Sequence, residues 1–354
     1  MTQSRRLSTD SPAADIAHSS RLRQAQGVYV TVHGHFYQPP RENPHLDAIQ
    51  RQPSAAPFHD WNARIHSECY RPNAFARVYD DRGQIVAIVN NFEYFSFNIG
   101  PTLLNWLQQH DPLVYGRIQD GDRHSAARLG HGNAIAQAYN HMILPLANER
   151  DKHTQIRWGK ADFRKHFGRE PEGMWLAETA VDLATVEALI DEGIRFIILA
   201  PSQALACRPL AEVAGSEPGS HHGSGSGSGS WQDVSEGQID PRRPYRCFGS
   251  HGHLDIFFYD GPISRAMGFD NLLSSSQFLA NCLGLAVDGG PAGAGSDPAG
   301  DGSSNGSGQA PGSLPPAQLI SVAPMARPSA TTSPARKNAS PMPSPRSFPG
   351  GTGR

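Results

Sequence analysis

The stretch GMWLAETAVDLATVEALIDEGIRFIILAP, residues 173–201, decides the fold. GMWLAE (173–178) is a short apolar run of strand length that ends in a carboxylate. TAVDLATVEALIDEG (179–193) has the apolar spacing of a helix, and Gly193 stands where a helix closes on a left-handed residue. RFIILAP (195–201) is a second apolar run bounded by proline. Strand, helix and strand at this spacing form a right-handed parallel βαβ unit, so the chain belongs to the α/β class. Just upstream, ADFRKHFG (161–168) reads as a short amphipathic helix closed by Gly168.

Working outward, VYVTVHGHF (28–36) alternates Val28, Val30 and Val32 and reads as the first strand. A second apolar segment, QIVAIVNNFEYFSFN (84–98), follows a turn at Asp81-Arg82-Gly83. PTLLNWLQQ (101–109) opens with proline in its first turn and is predicted helical. NAIAQAYNHMIL (133–144) is also expected to be a helix, from the spacing of Ile135, Tyr139, Met142 and Ile143, with Pro145 ending it. Further strands are expected at HLDIFFYD (253–260) and LISVA (319–323). Gly (36) and Pro (29) concentrate in segments that cannot build a core. These are the polar N-terminus 1–26, insertions at 214–240 and 287–316, and the tail 324–354, all expected to be disordered. Residues 27–323 are left as one catalytic domain.

Charge is nearly balanced, 31 Lys and Arg against 33 Asp and Glu, which argues against a broad nucleic-acid footprint or a polybasic membrane surface. Cys69, Cys207, Cys247 and Cys282 stand far apart with no CxxC pair, so neither a zinc knuckle nor a disulfide framework is indicated. The basic N-terminus has no apolar core behind it, and no run reaches the ~18 apolar residues of a membrane span. The expectation is a cytoplasmic protein.

Parallel α/β architectures work at the carboxyl ends of their strands. Here those ends carry His33 and His35, then Asn90 and Asn91, then Glu178, then Asp260. Any one such carboxylate is more often a helix cap or loop ligand. Together, Glu178 and Asp260 closing apolar strands suggest carboxylates pushed apart in pKa, a general acid and a nucleophile. At about 5–5.5 Å such a pair gives retention of anomeric configuration. Trp61, Trp175 and Tyr259 offer faces for sugar stacking, although Phe257 and Phe258 read as core. The His33-Gly34-His35 pair admits a competing chemistry, a metal-dependent hydrolase with His131, His141 or Asp260 as further ligands.

At these residues the sequence resembles glycoside hydrolase family 57, of the α-amylase and 4-α-glucanotransferase type, and within it a subgroup carrying the DUF3536 region. HGHFYQPPREN (33–43) resembles the family's His-Gln-Pro region with Phe36 and Tyr37 inserted before Gln38. HDWNARIHSECYRPNA (59–74) and NNFEYFSFNIGPTLLNWL (90–107) look like the subgroup's stretches, and GHGNAIAQAYNHMILPLAN (130–148) holds the place of the second region. GMWLAE resembles the third region and FFYDGPISRAMGFD (257–270) the fourth. The resemblance implies Glu178 as nucleophile, Asp260 as acid/base, and His33, His35, Gln38, Trp175 and His141 in substrate binding. It implies a distorted (β/α)7 barrel, an α-glucan or oligosaccharide substrate, and no metal or other cofactor.

The family's fifth region, Thr-Asp-Gly-Glu in this subgroup, is expected directly after LISVA, where PMARPSATT (324–332) stands instead. Reading the third base of each codon with the first two of the next, Met325 and Ala326 force a glycine codon at the expected place. The flanking codons permit Thr-Asp-Gly-Glu-Ala-Phe-Gly-His-His. The expectation is a frameshift near Ala323, an incomplete barrel with an uncovered edge, and poor solubility with little activity. An inactive carbohydrate-binding fragment is the non-enzymatic alternative. Resequencing the codons for Leu319 to Thr332 checks the frame: the third bases are expected to spell the missing motif, and any other set ends the idea.

Overall fold

The computed structural model describes residues 27–210, 229–269, 279–283 and 318–323. The N-terminus 1–26, most of the first insertion, the second insertion and the tail 324–354 lie outside the described residues. In chain order the strands are β1 (Val28–Phe36), β2 (Ala76–Tyr79), β3 (Ile85–Val89), β4 (Ser96–Ile99), β5 (Ala136–Gln137), β6 (Gly173–Trp175) and β7 (Phe196–Leu199). They continue with β8 (Ala206–Cys207), β9 (Gln232–Asp233), β10 (Pro244–Gly249), β11 (Gly252–Phe258) and β12 (Gln318–Val322). The α-helices are α1 (Trp61–Ile65), α2 (Arg71–Ala74), α3 (Pro101–His110), α4 (Pro112–Leu129), α5 (Glu149–Phe167), α6 (Leu183–Asp191) and α7 (Gly261–Phe269).

Two sheets carry the architecture, one ordered β12-β1-β4 and the other β10-β11-β7-β6-β5. Every pair in them is parallel except the β10–β11 hairpin. The expected (β/α)7 barrel is therefore not closed by continuous ladders. At one seam a single parallel bridge joins Phe97 to Ala134. At the other, Asp260 N donates to Ser321 O at 2.6 Å. The chain is a mixed α/β fold in which two mainly parallel sheets meet between β4 and β5 and again where the end of β11 reaches β12.

The β6–α6–β7 unit forms as its sequence dictates. Asp182 caps α6 by accepting from Thr185 N at 2.8 Å, which satisfies an N–H that the helix cannot pair internally. Gly193 takes φ 75°, and Gly193 N and Ile194 N return to the carbonyls of Ile190 and Leu189. The helix then buries Val186 and Leu189 in the core that also holds Met174, Ile197 and Leu199 of the strands. ADFRKHF is the last part of the 19-residue α5, longer than expected because Asn148 caps it far upstream. GMWLAE is a strand only as far as Trp175. The 84–98 segment divides into β3, which pairs with β2 in a separate hairpin, and β4 in the main sheet. In that hairpin Val78, Tyr79, Ile85, Val86 and Ile88 are all exposed.

The helix expected at 133–144 does not form. Ala134, Ala136 and Ala138 are buried together in the main core, whereas Ile135 lies in a different cluster with Trp175, a period of two rather than 3.6. Met142 is exposed and His141 adopts φ 53°, which an α-helix excludes. The insertion assigned to 214–240 is also shorter than its composition suggested: residues 229–240 contain β9 and bury Val234 and Ile239 in the main core.

Two helical glycines make opposite predictions. A Cβ at Gly159 in α5 would stand 2.0 Å from the carbonyl oxygen of Gln137, so the helix lies directly on β5. Gly116 in α4 has nothing within 4 Å of its Cβ position. Gly159→Ala is expected to destabilise by about 1–3 kcal/mol through overpacking. Gly116→Ala should stabilise by up to about 1 kcal/mol through helix propensity. Urea unfolding midpoints of the two variants, moving in opposite directions, check both.

Candidate active site

Alternation along β1 sends His33 and His35 to one face, and the parallel register sets Ser96 beside His33 and Asn98 beside His35. The same face continues across the seam to Gln137 on β5, whose register partner on β6 is Trp175. Four neighbouring strands thus converge polar side chains near their carboxyl ends. Asn98 is their hub and is 0% exposed. Its Oδ1 lies 3.1 Å from His33 Nε2 and 3.1 Å from His35 Nδ1, its Nδ2 lies 3.0 Å from His35 Nδ1, and Nδ2 donates to Gln137 Oε1 at 2.7 Å. A carbonyl oxygen only accepts, so its pairing with His33 assigns that ring's proton to Nε2. His33 Nδ1 then accepts from the Ser96 hydroxyl at 2.9 Å.

Beyond His35, His141 Nε2 approaches His35 Nε2 at 3.1 Å. The rings stack: Trp175 on His33 at 5.0 Å and on His35 at 4.9 Å, and Tyr37 on His141 at 3.9 Å. Burial pushes His33 down to about 3, against an opposing hydrogen bond from Asn98. Burial, then the neighbouring His141, pushes His35 down to about 4. Burial also lowers His141, while the Glu178 carboxylate pulls the other way. The imidazoles are therefore neutral at physiological pH, and the cluster is an uncharged aromatic floor.

Glu178 stands at the carboxyl-terminal end of β6 in the turn Ala177–Thr179, with Glu178 at φ 56° and Thr179 at φ 54°. It is exposed, so the burial expected of it is not found: Leu176, Ala177 and Thr179 around it are buried, and the turn points the Glu178 side chain outward. Nor is it the cap of the following helix, a role that belongs to Asp182. Asp260 follows β11, which is separated from β6 only by β7. It is half-buried, and its Oδ1 accepts from Ile263 N at 2.9 Å at the start of α7. For Asp260 the capping role is real.

Gln38 Oε1 accepts from Arg41 Nη2 at 3.3 Å. His131 pairs with Glu172 at 3.0 Å. Trp61 lies under Arg64 and donates to Ser54 Oγ. Asn90 caps the turn Asn91–Glu93, and Asn91 donates to Asn73. Among the described residues no group of three or more His, Cys, Asp or Glu is arranged to hold a metal ion. Ser96, Asn98, Gln137 and Tyr37 are the members of the cluster that sequence reasoning passed over. The signal for Asn98 was the alternation of Ser96 and Asn98 with Phe97 and Ile99, which puts both polar residues of the strand on one face.

Comparison with known proteins bears on the whole arrangement. A 97-residue stretch, 27% of this chain and 13% of the relative, is 27% identical to alpha-amylase 1 of Dictyoglomus thermophilum. The 4-alpha-glucanotransferase of Thermococcus litoralis superposes with a TM-score of 0.48 at 13% identity, over 84% of this chain and 33% of that one. A branching enzyme of Thermococcus kodakaraensis superposes with a TM-score of 0.39 at 16% identity, over 65% of this chain and 47% of that one. The chain thus spans less than half the length of each of these relatives. Residues 33–283, well over half of the sequence, match the profile of glycosyl hydrolase family 57, and the chain belongs to that family.

Proposed function

We propose that this chain carries the catalytic core of a retaining glycoside hydrolase or transglycosylase acting on α-glucans, with Glu178 as nucleophile and Asp260 as general acid/base. The observation that carries the reading is the backbone at Glu178. Two consecutive residues with side chains, one of them β-branched, sit in the left-handed region that costs of order 1–3 kcal/mol per residue. Strain of this kind persists where surrounding structure fixes it for a purpose. Here it turns an exposed carboxylate outward, near enough to His141 for the two to interact electrostatically.

In the first step a Glu178 oxygen attacks the anomeric carbon as the glycosidic C–O bond breaks, and Asp260 gives its proton to the leaving oxygen. In the second, water or an acceptor hydroxyl attacks the same carbon, its proton passes to Asp260, and Glu178 leaves. The parallel strands that hold the two carboxylates flank β7, so their backbones are about 10 Å apart. Side chains leaning inward over that gap can approach the spacing a retaining pair requires. Uncharged imidazoles suit a neutral sugar, since they offer hydrogen bonds and stacking without a fixed charge. His33, His35, His141 and Trp175 line this floor, and Gln38 stands at its margin with Arg41. A distorted (β/α)7 barrel is the architecture this reading implies, and the approach of the two sheets at both seams supports it.

Glu178→Gln tests the chemistry. It is expected to lower turnover of maltooligosaccharides on the order of 10³-fold or more while maltotetraose still binds; unchanged turnover overturns the assignment.

The buried histidines set a pH dependence of stability. Their pKa values are depressed on folding, so the unfolded chain takes up protons first as pH falls below 6.5. The stability is complete well above pH 6.5 and is lost as pH falls towards 4 for His35 and 3 for His33, on the order of 1 kcal/mol per pH unit for each histidine. Denaturant titrations at pH 7, 6 and 5 should show His33→Gln with a shallower decline than the parent chain.

A further inference from the structure

The three imidazoles of the cluster are not equivalent. Both ring nitrogens of His33 are engaged, by Ser96 and Asn98, and both of His35, by Asn98 and His141. His141 gives only Nε2 to this chain of contacts. Its Nδ1 has no hydrogen-bond partner among the described residues and is open to solvent, in a residue that is half-buried. His141 also feels the Glu178 carboxylate, which opposes the effect of burial on its pKa. It is therefore the imidazole of the cluster that a ligand can meet. His141 holds this place on costly backbone: a φ of 53° puts a residue with a side chain in the left-handed region, which persists only where neighbours fix it. Its N–H donates to Ala138 O at 2.9 Å, and His35 holds one edge of the ring. Tyr37 covers a face, with ring centroids 3.9 Å apart and planes 13° apart. Tyr37 is itself fixed. Gly100 N donates to Phe36 O at 3.0 Å, which pins the backbone just before it. A Cβ on Gly100 would stand 3.1 Å from Tyr37 Cδ2, so the tyrosine ring lies against bare backbone that a larger residue would fill.

We propose that Tyr37 is a positioning residue whose ring sets the plane of His141, so that the open His141 Nδ1 meets a hydroxyl group on a sugar unit of the bound glucan. The proposal rests on the α-glucan reading above and adds a residue to it. An imidazole held by one edge alone can tilt about that contact, and a parallel ring packed on its face removes the tilt. A hydrogen bond to a hydroxyl weakens steeply with misalignment, so the plane of the ring decides whether Nδ1 is useful. Tyr37 acts here through the face of its ring, a part it shares with phenylalanine and not with an aliphatic side chain.

Variants of the full chain separate this role from packing. Tyr37→Phe keeps the stacking ring, Tyr37→Leu removes it, and His141→Ala removes the group it positions. Maltotetraose is the probe, titrated by calorimetry. Binding is expected to be about 3- to 10-fold weaker in Tyr37→Leu and restored in Tyr37→Phe. Adding Tyr37→Leu to His141→Ala should cost nothing further, because a residue that acts through another has no effect once that one is gone. The positioning role is refuted, and the glucan reading stands, on any of three results with a parent chain that binds. These are Tyr37→Leu binding as tightly as the parent, Tyr37→Phe binding as weakly as Tyr37→Leu, or a loss that adds in full to that of His141→Ala. If maltotetraose does not bind the parent chain, the glucan reading fails and takes the proposal with it. Should Tyr37→Leu not fold, NMR of the parent chain decides: the His141 ring protons, displaced by the ring current of Tyr37, are expected to shift again with maltotetraose. Ring protons that stay in place while the sugar binds overturn the proposal.

Discussion

The carboxamide of Asn98 is the contact on which the site depends. It sits fully buried between β1 and β5 and touches His33, His35 and Gln137 at once, joining a polar residue on each flanking strand through one planar group. Burial in a low dielectric strengthens such bonds and makes any missing partner expensive, so the network favours one arrangement of rings. The seam between the two sheets adds to its importance. Only a single bridge pair joins the backbones of β4 and β5, and the Asn98–Gln137 bond is the side-chain link across that gap.

What holds the cluster also keeps it uncharged. Imidazoles stripped of water and packed on an indole lose more by protonation than Asn98 can return, which is why burial outweighs the hydrogen bond for both His33 and His35. The carboxylate of Glu178 is exposed, on a turn with two consecutive residues in the left-handed region.

Much of this was legible in the sequence, and the failures have physical causes. The βαβ unit read correctly because Asp182, Gly193 and the apolar runs around them all specify the same local structure. The histidines and Glu178 stood out as polar ends on apolar strands. The helix assigned to 133–144 failed because β5 is two residues long, and Ile135, Tyr139 and Met142 copied a helical period by chance. Asn98 and Gln137 escaped notice because alternation assigns an amide to a face and does not show what it meets there. Their meaning lies in partners 39 to 65 residues away. The burial expected of Glu178 failed for a related reason: the turn Ala177–Thr179 points this one side chain outward while Leu176, Ala177 and Thr179 stay buried.

The β2–β3 hairpin has a consequence of another kind. IVAIV of β3 is β-branched apart from one alanine, carries no charge or proline, and has β2 as its one strand partner among the described residues. Such a segment is a template for intermolecular cross-β stacking, held in check here by the Asp80, Asp81 and Arg82 charges at its turn. This hairpin is thus one place where copies of the chain can pair edge to edge, and the charges at its turn and at Arg77 on β2 stand against that.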